Sequence, residues 1–230
     1  MIPYPGREKE LQTIRERNIQ LTTVSQIKEM AIGAKFDDEL FELLKVKENR
    51  ETLRALLIAR YFAAEAEPML IEQSQINNEA YQYSLDLLDE ERKIIDIEEI
   101  KPAARSQGFR LAIVKTYEHR CTTCGIRILT SDGLTIAEAA HIIPFSISRN
   151  DDPRNGICLC RSCHWNFDEG LISVSSKYEV ITSPQLATNT NLPSFIVTLA
   201  QRNIIHPIEE KFLPALDNLA WHRKEVFRIR

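Results

Sequence analysis

Two Cys-x-x-Cys pairs, Cys121/Cys124 and Cys160/Cys163, bracket the part of this sequence best equipped for chemistry. Each pair sets two thiols on one tight turn, and two such turns supply four thiolates, the set that suits tetrahedral zinc. Either pair alone reads equally well as a redox couple. Together, with His164 directly after Cys163, they predict one structural zinc ion. Cys158 falls between Ile157 and Leu159 and is expected to be a small buried residue, not a fifth ligand. His141, Asn155 and His164 stand between and beside the pairs in that order. An imidazole near neutral pH can move a proton or bind a metal. Asp168 follows His164 by four residues, so on a helix the two share a face and can reach one cation.

The stretch Glu138–Asp168, EAAHIIPFSISRNDDPRNGICLCRSCHWNFD, with Cys-Thr-Thr-Cys before it, resembles the core of the HNH endonucleases. That resemblance implies a ββα-metal arrangement tied by a zinc ribbon, DNA as substrate and Mg²⁺ or Mn²⁺ as the catalytic ion. Phosphodiester hydrolysis needs an activated water, a cation at the scissile phosphate and stabilisation of the leaving oxygen. By resemblance, His141 takes the position of the general base, Asn155 orients that histidine or its loop, and His164 binds the divalent ion, with Asp168 beside it. One position departs from the family pattern. Many HNH sites carry Asp or His immediately before the base, where this sequence has Ala140. Strand alternation places Glu138 on the side of Ala140, opposite His141; Glu138 either reaches the metal or pairs with a basic residue. The run AEAAHIIP, and the Trp221-His222 pair, resemble a bacterial restriction-associated branch of the family.

Bulk properties agree with this reading. The chain has 230 residues, 43% hydrophobic and 27% charged, ordinary values for a globular protein with a real core. The net charge of −4 hides an asymmetry. Residues 1–100 carry 13 Lys/Arg against 21 Asp/Glu, and residues 101–230 carry 16 against 12, so the half with the Cys/His cluster is the basic one. A mild positive excess fits a phosphate-rich partner. The first residues, MIPYPGREKELQ, are dense in charge and offer no secretory h-region, and no apolar run reaches membrane-spanning length. Five cysteines in that context predict a reducing compartment, and the cytoplasm is the expected location.

The elements that must position these groups follow from periodicity. The spacing predicts a helix over 7–32, with a break at Thr22-Thr23, and a second from Asp37 to Val46 capped by Asp37 or Asp38. A third is centred on ENRETLRALLIARYFAA, its stripe formed by Leu53, Leu56, Leu57, Tyr61 and Phe62, and is expected to end at Pro68. A fourth covers Asn77–Glu91 with Ala80, Tyr83, Ser84, Leu87 and Leu88 inward. After a junction at DIEEIKPAARSQ, a helix over 107–119 buries Phe109, Ala112, Ile113, Val114 and Tyr117 and leads into Cys121. Ile126–Leu129 and Leu134–Ala137 read as a hairpin about Ser-Asp-Gly, the second strand continuing to His141 until Pro144. The segment SISRNDDPRNG reads as loop. A helix from the second Cys pair to about Glu169 closes at Gly170, then come a small hairpin, an exposed PQLATNTNLP loop, and a terminal helix capped by Asp217 or Asn218. Leu219, Trp221 and Phe227 are its apolar residues.

The expected fold is therefore α+β. It comprises a helical domain over 1–100 for positioning, dimerisation or recognition, an HNH nuclease domain over 101–183, and a C-terminal extension over 184–230. The expected activity is metal-dependent DNA endonuclease cleavage, which the family branch links to restriction or anti-phage defence. A single such centre cuts one strand, so double-strand cleavage calls for a homodimer. Two other readings compete: a non-catalytic zinc-ribbon module binding DNA or protein, and a nuclease effector switched through the acidic half. That half has no Cys or His before His119 and no motif of its own. Arg149, Arg154 and Arg161 flank the site as phosphate contacts or as solvated loop residues; His119, at a helix end, reads as an exposed or capping histidine, His206 precedes a proline with no partner in view, and His222 reads more readily as structural than catalytic.

Overall fold

A computed structural model describes residues 1–89, 99–130, 133–187 and 194–229. The architecture is α+β, and the chain divides into two compact units, Met1–Leu70 and Ile71–Arg230.

The first unit is helical, with one short antiparallel pair of strands, β1 (Ile2–Pro3) and β2 (Ala31–Gly33). The single expected helix over 7–32 is two, α1 (Glu8–Glu16) and α2 (Val24–Met30). Thr23 starts the second, in a capping box with Gln26 that satisfies orphan N–H groups at the helix start. Asp37 caps α3 (Asp38–Lys45) by accepting from the Glu39 N–H at 3.0 Å. α4 (Lys47–Tyr61) ends where Phe62 turns extended. Pro68 does not end it. Pro68 sits instead in the first turn of α5 (Glu67–Leu88), where a missing N–H removes no helical bond. Ile58 is the residue α4 buries, whereas Leu56, Leu57, Tyr61 and Phe62 of the expected stripe are exposed.

In the second unit, α5 buries Ala80, Tyr83, Ser84 and Leu87, as its apolar spacing predicts. Glu91, Asp96 to Glu98 and the end of the PQLATNTNLP stretch lie outside the described residues. α6 (Pro102–Thr116) starts at Pro102, five residues before the expected Gln107, with proline again in the first turn. It carries the predicted core, Phe109, Ala112, Ile113 and Val114, with Tyr117 just beyond its end. The hairpin expected over 126–137 forms around a single bridge, Leu129 with Thr135, with the Thr130 N–H on the Leu134 carbonyl at 2.9 Å and the Ile136 N–H on the Ile128 carbonyl at 3.2 Å, while a separate bridge joins Arg120 to Arg127. Ser131 and Asp132 of its turn lie outside the described residues. Regular pairing begins only at β3 (Ala137–His141), antiparallel to β4 (Gly156–Cys160), with His141 opposite Gly156 and Ala137 opposite Cys160.

This two-stranded sheet is the scaffold. On one face Ala137, Ala139 and Cys158 pack with Phe109, Ala112 and Ile113 of α6 and with Tyr83 and Leu87 of α5. On the other, Ala140, Ile157 and Leu159 pack with Cys163 and Phe167 of α8 (Arg161–Asp168). Period-two alternation thus sends neighbouring strand residues into two separate cores. Between the strands the expected loop contains α7 (Phe145–Ser148) and a short 3-10 turn, Pro153–Asn155. The close approach of α6 depends on Gly156: a Cβ there would land on Ile113 Cδ1 and meet the Phe109 ring at 3.0 Å. Gly108 does the same for α5, since its Cβ would sit 2.7 Å from the Ala80 carbonyl oxygen.

Beyond α8 come β5 (Ile172–Val174) and β6 (Val180–Thr182), the predicted hairpin, and then α9 (Leu216–Glu225). Neither Asp217 nor Asn218 caps α9. Its N-cap is Ala215, without a side-chain bond, and both polar residues lie inside the first turn, where Asn218 donates to the Arg154 carbonyl at 3.2 Å. Leu219 is buried, with Trp221 and Phe227 half-buried. No helix among the described residues is long and apolar enough to cross a membrane.

Candidate active site and zinc centre

The four paired cysteines meet. The Sγ atoms of Cys121, Cys124, Cys160 and Cys163 all lie within 4.8 Å of one another, with Cys124 and Cys160 at 3.8 Å. A tetrahedron of sulfurs about 2.3 Å from a zinc ion has edges of about 3.8 Å, so the cluster has the dimensions of a ZnS₄ site. Cys160 ends β4 and Cys163 lies in α8, while Cys121 and Cys124 form a turn closed by the Gly125 N–H on the Cys121 carbonyl at 2.9 Å. Such a centre ties the chain after α6 to the sheet and α8. Cys158 faces the opposite core and takes no part. Among the described residues this is the sole group of three or more metal-binding side chains.

His141 ends β3 on the α6 face. Its ring stacks on Phe109, centroids 3.8 Å apart and planes 7° from parallel, with Phe145 tilted beside it at 6.0 Å. Nε2 lies 2.7 Å from Asp151 Oδ1. Among the described residues Nδ1 meets no hydrogen-bond partner. Asp151 is 1% exposed and also receives Arg105 Nη1 at 2.7 and 3.0 Å and the Tyr83 hydroxyl at 2.9 Å. Burial pushes its carboxyl up, but the bonds from His141 and Arg105, the Arg105 charge and the Tyr83 bond outweigh this and hold it below the usual carboxylate range. An ionised carboxylate only accepts, so a neutral His141 carries its proton on Nε2 and leaves the Nδ1 lone pair open. The Tyr83 hydroxyl is held protonated by burial and by the Asp151 charge. Arg105 in turn lies over the Phe145 ring, 3.5 Å from its centroid.

Asp151, Arg105 and Tyr83 are invisible to spacing arguments. In Asn-Asp-Asp-Pro the two aspartates look alike as turn formers. Asp152 behaves that way, accepting from the Arg154 N–H at 2.8 Å, while Asp151 turns inward. Its partners sit 46 and 68 residues away in sequence.

Asn155 is fully buried and, among the described residues, its side chain makes no hydrogen bond to His141. Its carboxamide brackets Ile143, accepting from the N–H and donating to the carbonyl, both at 3.0 Å, and donates to the Asn150 carbonyl at 2.9 Å. It ties Ile143, at the start of the loop that follows His141, to Asn150 further along it.

On the other face of the sheet, His164 and Asp168 lie side by side on α8, Nε2 to Oδ2 at 3.4 Å. Glu138 engages both its oxygens, one with Arg161 Nε and one with His164 Nδ1, each at 3.0 Å. Burial raises the Glu138 carboxyl, but the His164 and Arg161 bonds and charges pull it lower overall. Burial raises Asp168, opposed by His164 and aided by Glu169 and Glu138. His141 lines two hollows. One, of about 490 Å³, is lined by Ser106, Gln107, Arg110, Glu138, His141 and His164; the other, of about 360 Å³, runs past Phe145 to Asp168 and His222.

The remaining histidines are spoken for or remote. His222 is 2% exposed and stacks on Phe167 at 3.7 Å. Its Nδ1 meets the Ser173 hydroxyl at 2.8 Å and its Nε2 the Phe167 carbonyl at 3.1 Å. Burial, against the Phe167 bond and aided by Arg223, pushes its pKa down to about 4, so it is a neutral strut. His206 meets the edge of Tyr178, and His119 sits past the end of α6 with a left-handed φ of 61°. Of the three arginines, Arg154 pairs with Asp152 and Arg161 with Glu138, and Arg149 lies 5.6 Å from the Phe145 centroid.

Residues 121–175 match the sequence model of a family described as HNH endonuclease. This segment is an HNH endonuclease domain. It holds the four clustered cysteines, both strands of the sheet and α8, whereas α5 and α6 precede it. A solved structure titled "Modification dependent TagI restriction endonuclease" is similar over 53% of this chain and 38% of its own length, at 24% identity and a TM-score of 0.38. No curated protein matches the chain.

Proposed function

We propose that the HNH domain hydrolyses DNA phosphodiester bonds in a reaction that depends on a divalent cation, with His141 as general base. The observation that carries this is the imidazole of His141, stacked on Phe109, bonded through Nε2 to Asp151 and lining two hollows. A zinc ribbon that merely binds a partner has no need of a histidine so held.

His141 Nδ1 takes the proton of the attacking water, and its Nε2–H keeps the ring aligned through Asp151. Asn155 fixes the loop after the base. His164 Nε2 and Asp168 Oδ2 are the donors for the catalytic cation, Mg²⁺ or Mn²⁺, whose water-rich shell suits so small a set of protein ligands. A cation there would supply positive charge to the scissile phosphate and the leaving oxygen. Glu138 serves as the carboxylate behind the histidine, accepting from His164 Nδ1–H so that the Nε2 lone pair is presented. Cys121, Cys124, Cys160 and Cys163 hold structural Zn²⁺. The acidic helical region before the domain would position it, recognise a partner or mediate a homodimer. Restriction or anti-phage defence is the purpose we assign, supported by the AEAAHIIP run and the Trp221-His222 pair.

The test is incubation of the purified protein with modified and unmodified plasmid DNA under Mg²⁺, Mn²⁺ or EDTA. Cleavage with either ion and none with EDTA supports the reading; DNA binding without cleavage in every condition leaves the zinc-ribbon binder in its place.

A further inference from the structure

The proposed base is held through Asp151 inside the HNH segment and, beyond it, by three residues that precede the segment: Arg105 and Tyr83 bond the carboxylate, and Phe109 underlies the ring. Asp151 is enclosed and receives four hydrogen bonds: one from His141, two from Arg105 of α6 and one from Tyr83 of α5. A buried carboxylate costs several kcal/mol in desolvation unless it is paired and hydrogen-bonded. Three donors that converge from two helices and a strand provide that pairing. A carboxylate needed only for packing would be replaced at lower cost by an apolar residue, yet here it turns one oxygen to the nitrogen of the proposed base. Arg105 is itself fixed over Phe145, and Phe109, which underlies the imidazole, belongs to the same helix as Arg105.

We propose that Asp151 is the positioning residue of His141, and that Tyr83 and Arg105 hold it in place. The site is then completed by α5 and α6, and the matched segment 121–175 does not suffice alone. This rests on His141 being the base. Asp151 fixes the tautomer: its carboxylate accepts from Nε2–H, which obliges Nδ1 to carry the lone pair. Asn at position 151 could turn either its oxygen or its NH₂ toward the ring, and so would select neither tautomer.

Two measurements test this. In the full-length protein labelled with ¹⁵N-histidine, long-range ¹H–¹⁵N correlation reads the protonation of each ring nitrogen, and His141→Ala assigns the signal. The expected result is a protonated Nε2 and a bare Nδ1 for neutral His141; a protonated Nδ1 overturns the proposal. This needs no activity and no variant at position 151. Second, Asp151→Asn and Tyr83→Phe are compared with wild type for single-turnover cleavage, KM for DNA, zinc content and melting. Asp151→Asn should slow the chemical step at least about tenfold, short of the loss in His141→Ala, with KM and zinc content unchanged. Tyr83→Phe should fall between it and wild type. Wild-type rates in a folded Asp151→Asn, with His141→Ala inactive, refute the positioning role alone. An active His141→Ala refutes the base assignment beneath it. If Asp151→Asn does not fold, the tautomer in wild type and the rate of Tyr83→Phe decide.

Discussion

The proposed base and the proposed cation donors need different things from their neighbours, and the two faces of the β3–β4 sheet supply them separately. On the α6 face, His141 is held by a stacked ring and a carboxylate. On the α8 face, His164 is held by Glu138 and shares its outward nitrogen with Asp168. Asp168→Ala should therefore raise the Mg²⁺ or Mn²⁺ concentration needed for half-maximal cleavage, and an unchanged metal titration would remove Asp168 from the site. Glu138→Ala should weaken the same cation by roughly ten- to a hundredfold, the usual loss when the carboxylate behind a ligating histidine goes. If Glu138→Ala titrates like wild type, the carboxylate serves only Arg161. The pairing of His164 with Asp168 could be read from their spacing on one helix. The double engagement of Glu138 could not, because strand alternation fixes which face a side chain occupies but not which neighbour it bonds.

At the scale of elements, the close seating of α6 on β4 decides where the base stands. Gly156→Ala would press a methyl into Ile113 and the Phe109 ring. It should cost about 1–3 kcal/mol of stability and reduce the cleavage rate, because Phe109 is the floor under His141; thermal melting and single-turnover kinetics would read both, and a neutral substitution would mean that α6 can yield. α9 is tied to α8 through His222, whose depressed pKa makes stability depend on pH. Its folded pKa of about 4 lies below the ordinary 6.5, so the unfolded chain binds the extra proton between those values. The contribution is complete above pH 6.5 and is lost as pH falls toward 4, on the order of 3 kcal/mol. Melting of wild type should thus drop more steeply over that range than melting of His222→Gln, and parallel curves would contradict it. Most of these elements were legible: the apolar spacing of α5 and α6, Gly170 beyond α8 and the β5–β6 hairpin all follow from pattern. The misreadings came from residues with two uses. Proline opens a helix as readily as it stops one, as Pro68 and Pro102 do, and the leucines of α4 form a stripe that the first unit leaves exposed.

For the whole molecule, the four-cysteine cluster, the proposed zinc centre, links the chain following α6 to β4 and α8, and so fastens the sheet that carries both halves of the proposed site. Elemental analysis of protein purified without added zinc should find one zinc per chain, and Cys121→Ser or Cys160→Ser should unfold the domain; a metal-free protein with an intact fold would contradict the centre. The division of labour we propose is a ribbon for rigidity, two helices for the base and one helix for the cation. The sequence carried the ribbon and the helix-borne pair in their spacing, and it concealed the two earlier helices because Tyr83 and Arg105 meet Asp151 only in the folded chain. The most direct measurement is the single-turnover rate of DNA cleavage, in saturating Mg²⁺, for wild type and His141→Ala matched for zinc content and DNA affinity. The variant is expected to bind DNA and zinc as wild type does but to cut at least about a hundredfold more slowly. Equal rates for the two proteins would contradict the assignment of His141 as the base.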